Sequence, residues 1–243
     1  MQTETKRDDF HRRIRLADAA TAMKALLSNP DDTAQVFRII DALSGKNGER
    51  TLERVGRSKE GKRLLQNKPD LLARLRDREG LRKLPDGSLG RAYLAFLDSE
   101  NITAEGLEGA SVTGRNRDRL ALPRDLRFLQ DRLRDSHDLW HTLTGYKGDL
   151  VGEASLLAFS FAQTWNPGVG FIVSMALLRG RGSDVTKTIL GGFVRGVKAA
   201  FLPAVEWEKL LALPLATVRE QLRIGAPPVY DVIRSTDYIR AAA

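Results

Sequence analysis

From Ala154 to Leu178 the chain carries no charged side chain. A run of that kind has to leave water, either for a protein core or for a bilayer. It is long enough to suggest a membrane span, but Gln163, Asn166, Pro167, Gly168 and Gly170 interrupt it at the middle. Proline removes a backbone donor and clashes with the preceding turn, so the run predicts two buried helices joined by an Asn-Pro-Gly turn. Elsewhere apolar residues recur at three- and four-residue spacing and alternating strand patterns are nearly absent. The expected fold class is all-α, one multi-helix domain over residues 1–243, with N-terminal helices in 1–80, a core in 81–225 and an irregular tail in 226–243.

Immediately ahead of that run stand His137, Asp138 and His141, two of the three histidines in the chain, and Glu153 opens it. On a helix, positions i and i+4 lie about 40° apart in projection and roughly 6 Å along the axis, so both imidazoles can face one ion. Asp138 is about 100° round from His137, which makes it either an edge ligand or the carboxylate that fixes an imidazole tautomer. Glu153 would stand roughly 18 Å further up an unbroken helix, so the chain must turn back. Gly145 and Gly148 lie where glycine would permit that turn. A helix, a turn and a second helix with Glu153 near its start is the expected geometry, with the motif on a helix pair. Two imidazoles with one or two carboxylates suit an open Zn²⁺ site, and the same set holds non-haem Fe(II).

The spacing His-Asp-x-x-His, eleven further residues, then Glu resembles the motif of the ubiquinone biosynthesis protein Coq4 family. Its flanks agree: Arg134-Asp135-Ser136 before, Thr142-Leu143-Thr144-Gly145-Tyr146 after, and Gly152-Glu153-Ala154-Ser155-Leu156-Leu157-Ala158-Phe159. The stretch from Leu84 to Tyr93 and the stretch from Glu206 to Leu215 are similar to two further family blocks. The resemblance implies metal ligation by His137, Asp138, His141 and Glu153, with zinc as the divalent metal and iron as the redox-active alternative. It implies work in ubiquinone biosynthesis, an oxidative decarboxylation that replaces the C1 carboxylate of a polyprenylated 4-hydroxybenzoate-type head group by a hydroxyl. The competing role is a non-catalytic lipid-binding scaffold with a structural metal. Leu156, Leu157, Phe159, Phe161, Phe171, Ile172, Val173 and Met175 are the candidate lining of a slot for the prenyl tail. A metal-dependent hydrolase would need further ligands that the remaining histidine content does not supply.

The chain has 243 residues, 42% hydrophobic and 29% charged, enough for one substantial core and short for two ordinary domains. It has no cysteine, which excludes disulfides and thiolate ligands. A net charge of +8 favours an anionic partner. An anionic membrane surface fits this. Nucleic acid does not, because aromatic content of 7% shows no interleaved stacking pattern. The expected partners are a polyprenylated aromatic lipid or quinone and other ubiquinone biosynthesis proteins, with a homo-oligomer left open. Met1 to Asp9 has no apolar signal core and contains Glu4, Asp8 and Asp9, unlike a transit peptide. The expected location is cytoplasmic, peripheral on the inner face of a bacterial membrane, or the matrix face of the mitochondrial inner membrane in a eukaryote.

Along the rest of the chain, Phe10 to Leu27 and Val36 to Leu43 read as helices around the Asn29-Pro30-Asp31-Asp32 break. A polar-rich helix to about Gln66 and another after Asp70 follow, and Ser88 is the candidate cap of a helix over Leu89 to Leu97. Leu126, Leu129 and Leu133 extend the ligand helix backward, with Arg127, Asp131, Arg132 and Asp135 facing out. Arg91, Arg115, Arg117, Arg119, Arg124 and Arg127 read as a solvated basic face, and His11 as a surface residue. Ile189, Phe193, Val197, Ala200 and Phe201 form a stripe on a basic amphipathic helix from Thr186, and Glu206 to Arg223 a last helix.

Overall fold

Caps and breaks written in the sequence divide the chain into helices. The computed structural model describes residues 13–104, 106, 109, 122–180 and 183–234. Helices α1 (Leu16–Ser28) and α2 (Thr33–Leu43) flank the Asn-Pro-Asp-Asp break and bury Ala19, Ala22 and Met23 against Ile39, Ala42 and Leu43. The single helix expected to about Gln66 is two, α3 (Asn47–Val55) and α4 (Lys59–Asn67). Gly56 ends the first, and the Ser58 hydroxyl accepts the Gly61 amide at 2.9 Å to start the second. Asp70 caps α5 (Leu71–Arg76) through the Ala73 amide, and α6 (Arg78–Arg82) follows. Ser88 caps α7 (Leu89–Glu100) as expected, accepting from the Arg91 amide at 3.3 Å.

Helices α8 (Arg124–Asp135) and α9 (His137–Thr144) meet at Ser136, so the ligand helix is a short element of its own. The inward stripe on α8 is as expected for Leu126 and Leu129, which are buried, and Leu133, which packs half-buried. Arg132, expected to face solvent, is buried. Its guanidinium meets both Glu208 carboxylate oxygens at 2.8 Å and donates to the Val205 carbonyl at 3.0 Å. The pairing partner lies far along the chain, so helical periodicity alone could not register it.

Helices α10 (Leu150–Thr164) and α11 (Pro167–Arg179) bear out the two-helix reading of the uncharged run. Trp165 turns left-handed to end α10, and Asn166 Oδ1 accepts the Gly168 and Val169 amides to start α11. Helix α12 (Asp184–Lys198) lies against α10 at backbone contact. A Cβ on Gly192 would stand 2.2 Å from the Ser155 carbonyl oxygen, and one on Gly196 2.5 Å from that of Phe159. Of the predicted stripe, Ile189 is buried and Phe193, Ala200 and Phe201 pack half-buried on the core, while Val197 is exposed; the closest approach to α10 is made by Gly192 and Gly196. After a 3₁₀ turn at Leu202–Ala204, the last helix expected over Glu206 to Arg223 is broken at Pro214 into α13 (Trp207–Leu210) and α14 (Leu215–Gln221). The break docks on the start of α7, where the Leu89 and Gly90 amides donate to the Leu213 and Leu211 carbonyls.

The main core gathers Leu89, Tyr93 and Leu97 of α7, Leu139 and Leu143 of α9, Leu156 and Phe159 of α10, and Leu202 and Trp207. Each fully buried leucine here is worth roughly 2 kcal/mol, which anchors α9 despite its shortness. The fold is all-α: among the described residues there is no strand beyond an isolated bridge of Ser88 with Pro214. No helix among them is long and apolar enough to cross a membrane. Residues 226–234 are irregular, while the rest of the expected tail, 235–243, and His11, Arg115, Arg117 and Arg119 lie outside the described residues.

Candidate metal centre

Helix α9 carries His137 and His141 one turn apart, with ring centroids 4.7 Å from each other. Gly145, at φ 79°, ends the helix with its amide on the His141 carbonyl at 2.8 Å. The chain then turns back, and Asp149 Oδ1 accepts the Val151 and Gly152 amides to start α10. That start delivers Glu153 one turn in. Its Oε1 is 3.2 Å from His141 Nε2 and its Oε2 is 3.7 Å from His137 Nε2. Ligand atoms of His137, His141 and Glu153 all lie within 4.8 Å of one another. The expected fold-back thus brings three of the four predicted residues together.

Asp138 is not among the converging atoms. Its Oδ1 lies 3.2 Å from His137 Nδ1, and the Tyr146 carbonyl lies 3.0 Å from His141 Nδ1. Both neighbours are acceptors, which assigns the imidazole protons to Nδ1 and leaves the Nε2 lone pairs directed at the Glu153 side. His141 Nε2 is buried, and its 3.2 Å contact with Glu153 is not aligned as a hydrogen bond, so it has no hydrogen-bond partner. A buried nitrogen left so is rare, and a cation beside the carboxylate would satisfy it. Phe96 of α7 stacks on the His141 ring at 5.2 Å and 14°, fixing its plane.

Helix α9 ends in the core, where its last carbonyls have no helical partner. Two arginines supply donors. Arg219 binds the Leu143 and Thr142 carbonyls at 2.8 and 3.1 Å, and Arg195 binds that of Thr144 at 2.8 Å. Both cations also oppose the helix dipole. The motif gave no hint of them, because their partners are backbone carbonyls.

Burial works against the charge of Glu153, but the two imidazoles win and hold its carboxyl at about 2, below the usual 4.5. Its side chain is 44% exposed, so water screens part of what the pair contributes to stability. Burial likewise disfavours protonated His141, yet Glu153 and Asp138 raise it above 6.5. A lowered carboxyl stabilises the fold above 4.5 and loses that contribution as pH falls towards 2; a raised imidazole stabilises below 6.5 and loses it as pH rises through the folded value. The metal-free protein therefore gains most from this pair between pH 4.5 and 6.5. Thermal unfolding midpoints across pH should show that dependence in the parent and lose it in Glu153→Gln. If the two profiles have the same shape, the pair contributes nothing.

Beside the centre lies a cavity of about 220 Å³, with His137 and Trp140 on its wall together with Leu126, Leu129, Leu133, Leu157 and Val169. Its other end is polar, with Asn47 and the Arg15–Asp41 ion pair at 2.6 Å. Of the eight residues predicted for a prenyl slot, Leu157 lines this cavity. Leu156 and Phe159 belong to the main core, Phe171, Ile172 and Met175 pack with α1 and α2, and Phe161 and Val173 pack with Val169 and Ile189. Helices that are apolar all round meet several neighbours at once, so one run of residues does not line one slot. Leu126, Leu129 and Leu133 of α8 are part of that wall; their stripe was legible in the sequence but its second role was not.

The profile of the coenzyme Q (ubiquinone) biosynthesis protein Coq4 family matches residues 10–228. The mitochondrial ubiquinone biosynthesis protein COQ4 of Pyricularia oryzae is 30% identical over 171 residues, 69% of this chain and 54% of that protein. The Rattus norvegicus homologue is 30% identical over 173 residues, 70% of this chain and 62% of its own length. The chain thus spans little more than half of these relatives. A crystal structure from Nostoc punctiforme PCC 73102, of a protein assigned to ubiquinone biosynthesis, superposes with a TM-score of 0.63 at 21% identity, covering 88% of this chain and 100% of that one. At that identity the likeness speaks for the fold.

Proposed function

Because this chain belongs to the coenzyme Q (ubiquinone) biosynthesis protein Coq4 family, we propose that it acts in ubiquinone biosynthesis by exchanging the C1 carboxylate of a polyprenylated 4-hydroxybenzoate-type head group for a hydroxyl. The observation that carries the reading is the convergence of the His137 and His141 Nε2 atoms with the Glu153 carboxylate, both Nδ1 atoms being already committed. These three residues would hold a divalent cation, and Asp138 orients His137 from outside the set. When bound, such a cation supplies Lewis acidity towards a carboxylate or phenolic oxygen. The residue roles follow from their surroundings. Phe96 and the Tyr146 carbonyl hold His141 in one orientation, and the exposed side of Glu153 leaves room for a substrate oxygen, which favours catalysis over a purely structural centre. The apolar walls of the adjoining cavity would take the first part of the tail and exclude water from the head group.

With water as the source of the new hydroxyl oxygen, the exchange releases CO₂, one proton and two electrons from the carboxylate form, so a two-electron acceptor from outside the chain takes part. Zinc is the ion the family resemblance implies; iron, held by the same donor set, would carry electrons itself. A membrane-facing side is supported by α12, where Leu190, Val194 and Val197 form an exposed apolar stripe near Lys187 and Lys198. Elemental analysis should find close to one metal ion per parent chain. His141→Ala should lose both the metal and carboxylate release, and turnover retained in a metal-free variant overturns the mechanism.

A further inference from the structure

Residues 226–234 form no helix, yet they touch every residue of the turn between the two ligand helices. Pro227 fills the space beside Gly145, where a Cβ would come within 2.5 Å of it. The Tyr230 ring lies against that of Tyr146 at 6.1 Å. The Tyr230 hydroxyl accepts from the Lys147 amide at 2.9 Å and donates to Asp149 Oδ2 at 2.8 Å. Arg234 reaches the Gly148 carbonyl at 3.3 Å and the Glu100 carboxylate at 2.7 Å. Ile233 donates its amide to Asp149 Oδ1 at 3.2 Å and accepts from that of Leu150 at 2.9 Å. Arg195 ties the two segments by binding the Thr144 and Ala226 carbonyls together.

We infer that this C-terminal segment is a positioning strap for the metal centre, with Tyr230 as its chief positioning residue. The inference rests on the metal reading given above. Two atoms of the turn set the ligand geometry: the Tyr146 carbonyl, which orients His141, and the Asp149 carboxylate, which starts the helix that delivers Glu153. The turn contains Gly145 and Gly148 and has no helix of its own to hold it. Tyr230 bridges its two arms with one hydroxyl, so removing that oxygen releases both without emptying the packed ring site. Groups that orient ligands from outside the coordination shell typically change metal affinity 10- to 100-fold when lost.

The test uses the full chain, stripped with a chelator and titrated with Co²⁺ alone, following affinity and the visible ligand-field bands. Tyr230→Phe should weaken Co²⁺ binding about tenfold and shift the bands, while the metal-free protein stays folded with a modestly lowered unfolding midpoint, since buried Asp149 loses one donor. Arg234→Ala removes a half-exposed side chain at the strap's outer end and should weaken binding in the same direction by less, with the unfolding midpoint of each variant confirming that it is folded. Parent-like affinity and bands in both variants would overturn the strap while leaving the metal centre standing. A parent that binds no Co²⁺, or binds it equally well as His141→Ala, overturns the metal reading and the strap with it.

Discussion

Gly192→Val is expected to destabilise the protein by at least about 3 kcal/mol, read as a lowered denaturant midpoint at unchanged slope. The new Cβ would stand 2.2 Å from the Ser155 carbonyl oxygen and 3.0 Å from its carbonyl carbon, so backbone would have to move. Nothing flexible is available to yield. Because Ser155 lies two residues from Glu153, displacement of α10 should also weaken metal binding. The neighbouring position supplies the control. A Cβ at Gly191 meets nothing within 4 Å, so Gly191→Ala should be neutral or raise stability by about 0.5–1 kcal/mol through helix propensity. Equal losses at the two positions would mean that α10 and α12 do not meet at Gly192.

Glu208→Ala should cost about 3–5 kcal/mol, the usual penalty for leaving a buried cation without its partner. Arg132 is 4% exposed and keeps only the Val205 carbonyl once both carboxylate oxygens are gone. The double variant Arg132→Met with Glu208→Leu removes the charge together with its partner and should recover most of the loss, since apolar replacement of a buried pair is often neutral. A double variant as unstable as the single one would show that packing, rather than an orphaned charge, sets the cost.

These two sites also mark where sequence reasoning ends. Local signals were sound: Ser88 caps its helix, Gly145 ends α9 left-handed, and the Asn-Pro-Gly break divides the uncharged run. Each depends on residues within a turn of each other. The spacing from His141 to Glu153 was legible for the same reason, since geometry allows few ways to bring them together. On α12 the stripe held at Ile189 and Phe193 but not at Val197, and the glycine contact with α10 was missed, because hydrophobic periodicity looks for large side chains and not for backbones that touch. Arg132 was placed in water because its partner, Glu208, is distant in the chain. Asp138 could be ligand or orienting group on spacing alone; its 3.2 Å contact with His137 Nδ1 depends on side-chain rotamers that a helix projection does not carry.

The two arginines on the end of α9 have a consequence for biosynthesis. An eight-residue helix is too short to persist by itself, and its terminal carbonyls wait for Arg195 and Arg219. During translation the histidines leave the ribosome long before either guanidinium does. Closure of the His137, His141 and Glu153 cluster therefore belongs to the finished polypeptide: a product that ends before Arg195 and Arg219 would display the whole motif without the donors that hold its helix end.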